Sequence, residues 1–508
     1  MELLSVSRKP NILLITSDQQ HWNTIGAFQP EIKTPNLDRL VKEGTTFTRA
    51  YCPNPTCTPT RSSLITGQYP SQHGAWTLGT KLSEKVHTVG EDFQKAGYET
   101  ALIGKAHFQP LASTEKYPSL EAYPLLQDLD FWRQFDESYY GFKHVELTRN
   151  HTNEAHAGQH YALWLEEKGC TDWRNYFLPP TGTMDPQQVH KWAIPEEYHY
   201  DTWIAERTNA LLEQYQSTDQ PFFIWASFFD PHPPYLVPEP WDTMYNPNQL
   251  TLPKLQQGEH AANPPHFRLA QEEKPDFSSY RESGFGMHGF RSHLHNEEEL
   301  RKDIAVYYAM TSLMDKYIGR ILDKLDQLGL AKDTLVVFTS DHGHLFGHHG
   351  LIAKGPFHYE DLIRVPMIVR YPGHVPEGRV SASMQSLVDY APTLLSYAGL
   401  PIPSSMTGKD QREVWNGRQE AARDHILCEN HHEPTTIHLK TYVNERYKLT
   451  IYYNHSYGEL FDLEEDPEEV RNLWDESEHE ALKSKLLLRY AWAELGKEPT
   501  WMPRIANA

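Results

Sequence analysis

Short apolar runs that end on a polar residue recur along the chain. Asn11 to Ser17 (NILLITS) ends at Asp18, and Leu335 to Ser340 (LVVFTS) ends at Asp341. Runs this short, apolar at nearly every position, predict strands buried on both faces rather than half-exposed ones. Glu99 to Ile103 and Pro221 to Phe228 (PFFIWASF) have the same character. Helical periods lie between them. Lys33 to Gly44 carries Pro35 near its start, Leu37, Leu40 and Val41 on one face, and Gly44 past its end. Glu91 to Gly97 predicts another helical segment. The longest helix is predicted from Glu297 to Leu328, where Ile304, Tyr307, Met314, Ile318, Ile321 and Leu325 recur at spacings of three, four or seven, with Gly329 as the stop. Strands alternating with helices predict an α/β fold built on a large, mainly parallel sheet with helices on both faces. Ligands of such sheets gather outside the carboxyl ends of the strands, where Asp18 and Asp341 would sit.

From about Asp424 the pattern changes. Tyr447 to Tyr453 reads as part of a small antiparallel sheet and Ala481 to Leu495 as a closing helix. The expected division is a catalytic α/β domain over 1–415 and a smaller α+β subdomain over 416–508. Between Pro110 and Tyr200 the chain is irregular and aromatic, with Trp132, Trp164, Trp173 and Trp192. Such rings stack on sugars, enclose quaternary ammonium groups or simply pack.

Composition narrows the function classes. At 508 residues, 39% apolar and 23% charged, the chain resembles an ordinary globular protein of more than one domain. A net charge of -21 argues against a nucleic-acid partner, and any bound anion needs a local concentration of basic groups. No run approaches the roughly 18 apolar residues of a membrane span. Met1 to Pro10 lack the basic start and apolar run of a secretory signal. Cys52, Cys57, Cys170 and Cys428 are too few and too scattered for a disulfide framework or a zinc cluster. A cytoplasmic protein without membrane attachment is expected.

The most informative stretch is Cys57-Thr-Pro-Thr-Arg61, followed by Ser62-Ser-Leu-Ile-Thr-Gly67. It resembles the formylglycine-dependent type I sulfatases of the alkaline-phosphatase-like superfamily. In that family a Cys-x-Pro-x-Arg core and a downstream Leu-x-Thr-Gly direct oxidation of the cysteine to formylglycine. Ser or Ala commonly stands where this chain has Thr60. Thr34-Pro-Asn-Leu-Asp-Arg-Leu40, Gly67-Gln-Tyr-Pro70, His73-Gly74 and Ile103-Gly-Lys-Ala-His107 fall in the family's order. So do Asp230-Pro-His-Pro-Pro234, Phe338-Thr-Ser-Asp-His-Gly343, Glu459-Leu-Phe-Asp-Leu463, Asp466-Pro467 and Asn472-Leu473. The resemblance covers nearly the whole chain outside the aromatic middle.

The resemblance implies hydrolysis of a sulfate monoester, on a sulfated sugar or oligosaccharide, after a formylglycine-generating maturase has acted on Cys57. The hydrated aldehyde attacks sulfur through one hydroxyl. Asp341 helps remove its proton, and Arg61 stabilises the charged diol. Lys354 and His232 match residues that contact the sulfate and protonate the leaving alcohol. Lys105 matches a sulfate-binding lysine, and His107 the base that takes the second hydroxyl's proton, so that sulfate is eliminated without water attacking it. Asp18, Gln19, Asp341 and His342 would form the metal site beside Cys57. Carboxylate and amide oxygens suit Ca²⁺. Many family members have aspartate at position 19 and asparagine at 342, so the nitrogen of His342 makes Mn²⁺ a competitor. Gln19 either ligates or remains a strand-end amide.

A phosphonate monoester or phosphodiester hydrolase of the same superfamily is the alternative, since some share these Asp-Gln and Asp-His pairs. A non-catalytic binding protein with unmodified Cys57 is a further one. Gly343 to Gly350 carries His344, His348 and His349, but no cysteine or carboxylate spacing completes a zinc site there. That loop is expected to line the active site, with His349 near the substrate. Glu464 to Glu469 (EEDPEE) reads as a solvated loop.

Overall fold

The structure is a computed structural model and describes residues 9–149, 157–177, 190–218, 220–282, 291–292, 296–432, 435–500, 502 and 504–506. Met1 to Arg8, read above for a leader, lie outside the described residues, as do parts of the aromatic middle.

Eight strands form the main sheet. They are β1 (Asn11–Ser17), β2 (Thr45–Phe47), β3 (Glu99–Gly104), β4 (His144–Leu147), β5 (Phe222–Ser227), β6 (Thr334–Ser340), β7 (Met367–Arg370) and β8 (Arg379–Ser381), in the spatial order β8-β2-β7-β6-β1-β5-β3-β4. The five strands from β6 to β4 are parallel, while β7 is antiparallel to both its neighbours. The sheet is therefore mixed but mostly parallel.

Every residue of β1 and β6 is buried. Successive side chains of a strand point to opposite faces, and two separate cores follow from that. Ile12 and Leu14 join Trp225, Leu335 and Val337 in one, while Leu13 and Ile15 join Ile224, Val336 and Phe338 in the other. The helices used below are α1 (Pro35–Glu43), α2 (Cys57–Thr66), α3 (Tyr200–Thr218), α4 (Glu297–Gln327) and α5 (Glu480–Gly496). Leu37 and Leu40 of α1, Trp203 of α3 and Leu313, Ile318 and Ile321 of α4 cover the second face. Leu64 and Ile65 of α2 join the first. Each fully buried Leu or Ile contributes about 1.5–3 kcal/mol of apolar transfer. The helix α4 starts on Asn296, whose side chain accepts from the Glu299 N–H at 3.1 Å, with three glutamates in its first turn favouring the positive end of its dipole.

Trp132, Trp164, Trp173 and Trp192 are all buried in these two cores. Packing, rather than a ring-stacking surface, is what these four do. The C-terminal region forms a second, antiparallel sheet of β9 (His425–His431), β10 (His438–Asn444), β11 (Tyr447–Tyr452) and β12 (Gly458–Asp462), in sequence order. Leu486 and Ala493 of α5 pack on its Leu427, Leu449 and Leu460. The acidic run before Val470 is not wholly solvated: Glu469 is 2% exposed and pairs with buried Lys448. Among the described residues no helix is long and apolar enough to cross a membrane.

Candidate active site

The site is built where the parallel strands end. In the β1–β6 ladder Ser17 lies opposite Ser340, so the next residues, Asp18 and Asp341, emerge side by side. The Gln19 N–H donates to Asp341 Oδ1 at 3.0 Å and the His342 N–H to the same oxygen at 2.9 Å. Lys105 follows β3 by one residue and reaches Asp18 Oδ2 through its ammonium. Each of these groups is delivered by the residue just past an apolar run.

Cys57 is the first residue of α2, a helix buried along its whole length. Thr56, in extended backbone, precedes it, and left-handed Gly67 (φ 63°) ends the helix with its N–H on Ser63 O. The thiol thus sits at the positive end of the helix dipole. Thr60, the departure from the commoner Ser or Ala, donates from Oγ1 to Asn54 O at 2.5 Å and so ties the helix to the loop before it.

Around Cys57 Sγ lie Lys354 Nζ at 3.2 Å, His342 Nε2 at 3.2 Å, Lys105 Nζ at 3.7 Å and Asp18 Oδ1 at 3.7 Å. Arg61, one helical turn on, is fully buried: Nε donates to Asp341 Oδ2 at 2.8 Å, and Nη1 to Ser227 Oγ at 2.7 Å and Lys105 O at 3.0 Å. Lys354 also approaches His232 Nε2 at 3.2 Å, while His232 Nδ1 is 2.6 Å from Pro233 O. His107 follows Lys105 on the same loop with a left-handed φ of 58° and 8% exposure.

The electrostatics follow from this packing. Burial and the Asp18 carboxylate push the Cys57 thiol up, but Lys105 and Lys354 outweigh them, and the net direction is down. Burial opposes the charge of Lys354, yet Cys57, Asp18 and Asp341 raise it overall. Burial, then Lys354 and Lys105, hold His232 well below the ordinary imidazole range, so its ring is neutral.

The donor set suits a divalent cation. Ligand atoms of Asp18, Cys57, Asp341 and His342 all lie within 4.8 Å of one another. His342 Nδ1 is 3.0 Å from Gly343 O, which accepts its proton and leaves Nε2 as a lone pair facing the thiol. The side-chain amide of Gln19 is buried with neither its oxygen nor its nitrogen hydrogen-bonded. A buried amide of that kind is costly unless something else satisfies it.

Eight of the ten residues singled out above are thus linked through the thiol or its immediate partners: Asp18, Cys57, Arg61, Lys105, His232, Asp341, His342 and Lys354. Gln19 touches the cluster through its backbone, and His107 stands beside it on the loop after β3. Ser227 escaped notice, although it closes the apolar run of β5 as Asp18 and Asp341 follow theirs, and that position was its signal. His349, expected near the substrate, is held between carboxylates: Nδ1 lies 2.9 Å from Glu259 Oε1 and Nε2 3.6 Å from Asp361 Oδ2. Burial works against its charge, but Asp361 and Glu259 push it up to about 9. It lines a cavity of about 740 Å³ whose wall contains none of the eight linked residues.

A family model described as Sulfatase matches residues 10–400, and one described as N-sulphoglucosamine sulphohydrolase, C-terminal, matches residues 347–493. The chain belongs to the sulfatase family. It is a sulfuric ester hydrolase of the formylglycine-dependent, alkaline-phosphatase-like type, a family that implies a divalent metal and a formylglycine. An arylsulfatase of Clostridium perfringens (strain 13 / Type A) is 29% identical over 479 residues, covering 93% of this chain and 91% of the relative. A choline-sulfatase of Rhizobium meliloti (strain 1021) is 26% identical over 481 residues, covering 92% and 82%. Among solved structures, the phosphonate monoester hydrolase of Agrobacterium radiobacter superposes with a TM-score of 0.79 at 24% identity, covering 97% of each chain, and so shares the fold.

Proposed function

We propose that this sulfatase acts on a small sulfated molecule, a sulfated sugar or oligosaccharide, releasing an alcohol and inorganic sulfate. One observation supports this above the others: two lysine ammoniums, a carboxylate and an imidazole lie within 3.7 Å of Cys57 Sγ. An anionic nucleophile and an anionic ester repel unless fixed positive charge surrounds the reacting oxygens. If converted by a maturase to formylglycine and hydrated, position 57 would supply one hydroxyl to attack sulfur and a second that would let sulfate leave by elimination, and a divalent cation would offset negative charge beside it.

This chain's own residues do the rest. Asp18, Gln19, Asp341 and His342 would hold the cation, with Ca²⁺ favoured by the oxygens and Mn²⁺ admitted by His342. Asp341 takes the nucleophile's proton, and Arg61 keeps that carboxylate in place. Lys105 and Lys354 hold the sulfate oxygens. The proton shared between Lys354 Nζ and neutral His232 Nε2 goes to the leaving alcohol, and His107 takes the proton of the second hydroxyl. These residues all belong to the 1–415 unit, with 416–508 as the smaller subdomain.

Gln19 and His342 favour a second reading, a phosphonate monoester or phosphodiester hydrolase. Matched aryl sulfate and aryl phosphonate esters separate the two: faster sulfate turnover is expected, and faster phosphonate turnover would replace the first reading with the second. In protein made with a maturase, the peptide containing Cys57 should be lighter by about 18 Da, since an aldehyde replaces a thiol.

A further inference from the structure

The His344–His349 loop lacks a carboxylate or cysteine at ligand spacing, but the fold brings in what the sequence withholds. His21, in the turn after β1, and Asp361, on the short helix Glu360–Ile363, meet His348. We propose that His21, His348 and Asp361 form a second divalent-metal site, separate from the one at Cys57, that takes zinc or a similar borderline cation.

The three donor atoms lie within 4.8 Å of one another. His21 Nε2 is 2.9 Å from Asp361 Oδ1, and His348 Nδ1 is 3.6 Å from the same oxygen. Zinc bonds of about 2.0–2.2 Å at near-tetrahedral angles place ligands roughly 3–3.5 Å apart, and these two distances bracket that spacing. The ring of His21 is oriented for the task. Its Nε2 shares a proton with Asp361 Oδ1 at 2.9 Å, the proton a cation would displace, and Asn23 Oδ1, 2.7 Å from Nδ1, is placed to accept the proton that would then sit on Nδ1. Asp361 Oδ2 turns toward His349 Nε2 at 3.6 Å, which leaves Oδ1 for the cluster.

The backbone holds these segments in register. The His344 N–H donates to Asp361 O at 3.1 Å, the Gly343 N–H to Leu362 O at 2.8 Å, and the His21 N–H to Tyr307 Oη of α4 at 2.7 Å. Two imidazoles and one carboxylate suit zinc better than Ca²⁺, which seeks six or more oxygens. Three protein ligands leave a fourth position. Asn23, His348 and Asp361 all line the 740 Å³ cavity, so that position is reached from its interior by water or an anionic ligand.

The test uses the full chain with its first centre saturated by Ca²⁺. Zn²⁺ binding is followed by calorimetry, and Co²⁺ binding by the visible bands of a four-coordinate ion. One saturable zinc per chain is expected beyond the calcium. Its affinity should fall about 100-fold or more in His348→Ala, whose side chain is 35% exposed and whose loss leaves the core intact. In Asn23→Ala, which keeps all three ligands, it should fall about tenfold. Absence of a saturable zinc in the wild type, or an affinity unmoved by His348→Ala, overturns the site.

Discussion

Arg61 and Arg446 each grip an aspartate in similar geometry, at opposite ends of the molecule's range of environments. Arg61 Nε lies 2.8 Å from Asp341 Oδ2 with neither side chain exposed, whereas Arg446 Nη2 lies 2.7 Å from Asp462 Oδ2 and is 41% exposed. The first stands at the carboxyl end of a sheet whose central strands are buried throughout. The second joins the turn just before β11 to the last residue of β12 in the C-terminal sheet, where the pattern of β11 admits partly exposed positions such as Tyr447 and Ile451. In the parallel sheet there is no wet face on which to put charge, so charge collects where the strands stop. In the antiparallel sheet exposed pairs such as Arg446–Asp462 are screened by water, while the one buried pair described above, Lys448–Glu469, ties the sheet to the loop after β12. The first arrangement gathers its charges at one point, and the second distributes them as separate pairs.

That contrast can be broken or sharpened by substitution. Cys57→Ala is expected to lower kcat/KM by about 10⁴-fold or more while leaving the thermal midpoint nearly unchanged, because it removes a nucleophile and little packing. Near-wild-type turnover would end the proposed mechanism. Arg61→Met leaves the buried Asp341 carboxylate without its closest counter-charge, while Asp18 keeps Lys105, and the calcium-free protein should lose about 3–5 kcal/mol in urea unfolding. Added Ca²⁺ should return part of that loss, since a ligand of the native state stabilises it.

Leu460→Ala, in the core of the C-terminal sheet, should cost about 3 kcal/mol. Its folded fraction should turn over as fast as wild type, because no proposed site residue lies in that core. A large fall in kcat per folded molecule would join the two regions functionally.

His73 lies between them, with Nε2 3.0 Å from Ser63 Oγ of the catalytic helix. Burial lowers its ring to about 4 from 6.5. The unfolded chain therefore binds this proton first, so the contribution is whole above pH 6.5 and is lost as pH falls towards 4, by up to roughly 3 kcal/mol. His73→Gln should flatten that part of the acid limb. An unchanged slope would show that His73 is not a source of it. Arg446→Ala should leave the urea midpoint where it was, as exposed pairs generally do.

Much of this was legible in the chain itself. The predicted helix Glu297 to Leu328 is observed as Glu297–Gln327, and Asn11 to Ser17 is a strand over those same residues. Long helical periods and uninterrupted apolar runs bury so much surface that tertiary context cannot override them. The helix from Cys57 to Thr66 was not legible as a helix. All ten of its residues are buried, so it has no polar face to generate a period, and Thr, Pro and Ser dilute its apolar content. The antiparallel β7 was equally silent, because three apolar residues and an arginine carry no direction. For the site, Asp18 and Asp341 could be read from strand ends. The meeting of His21 with Asp361 could not, since 340 residues separate them and only the fold closes that distance.

The burial of α2 has a consequence for timing. Cys57 is 1% exposed and every residue of its helix is buried. The oxidising partner proposed above would have no access to that segment once the helix is buried. The oxidation proposed for Cys57 would therefore have to come while the chain is still open, and a molecule that folded first would be locked into a well-formed but idle state that only unfolding could release.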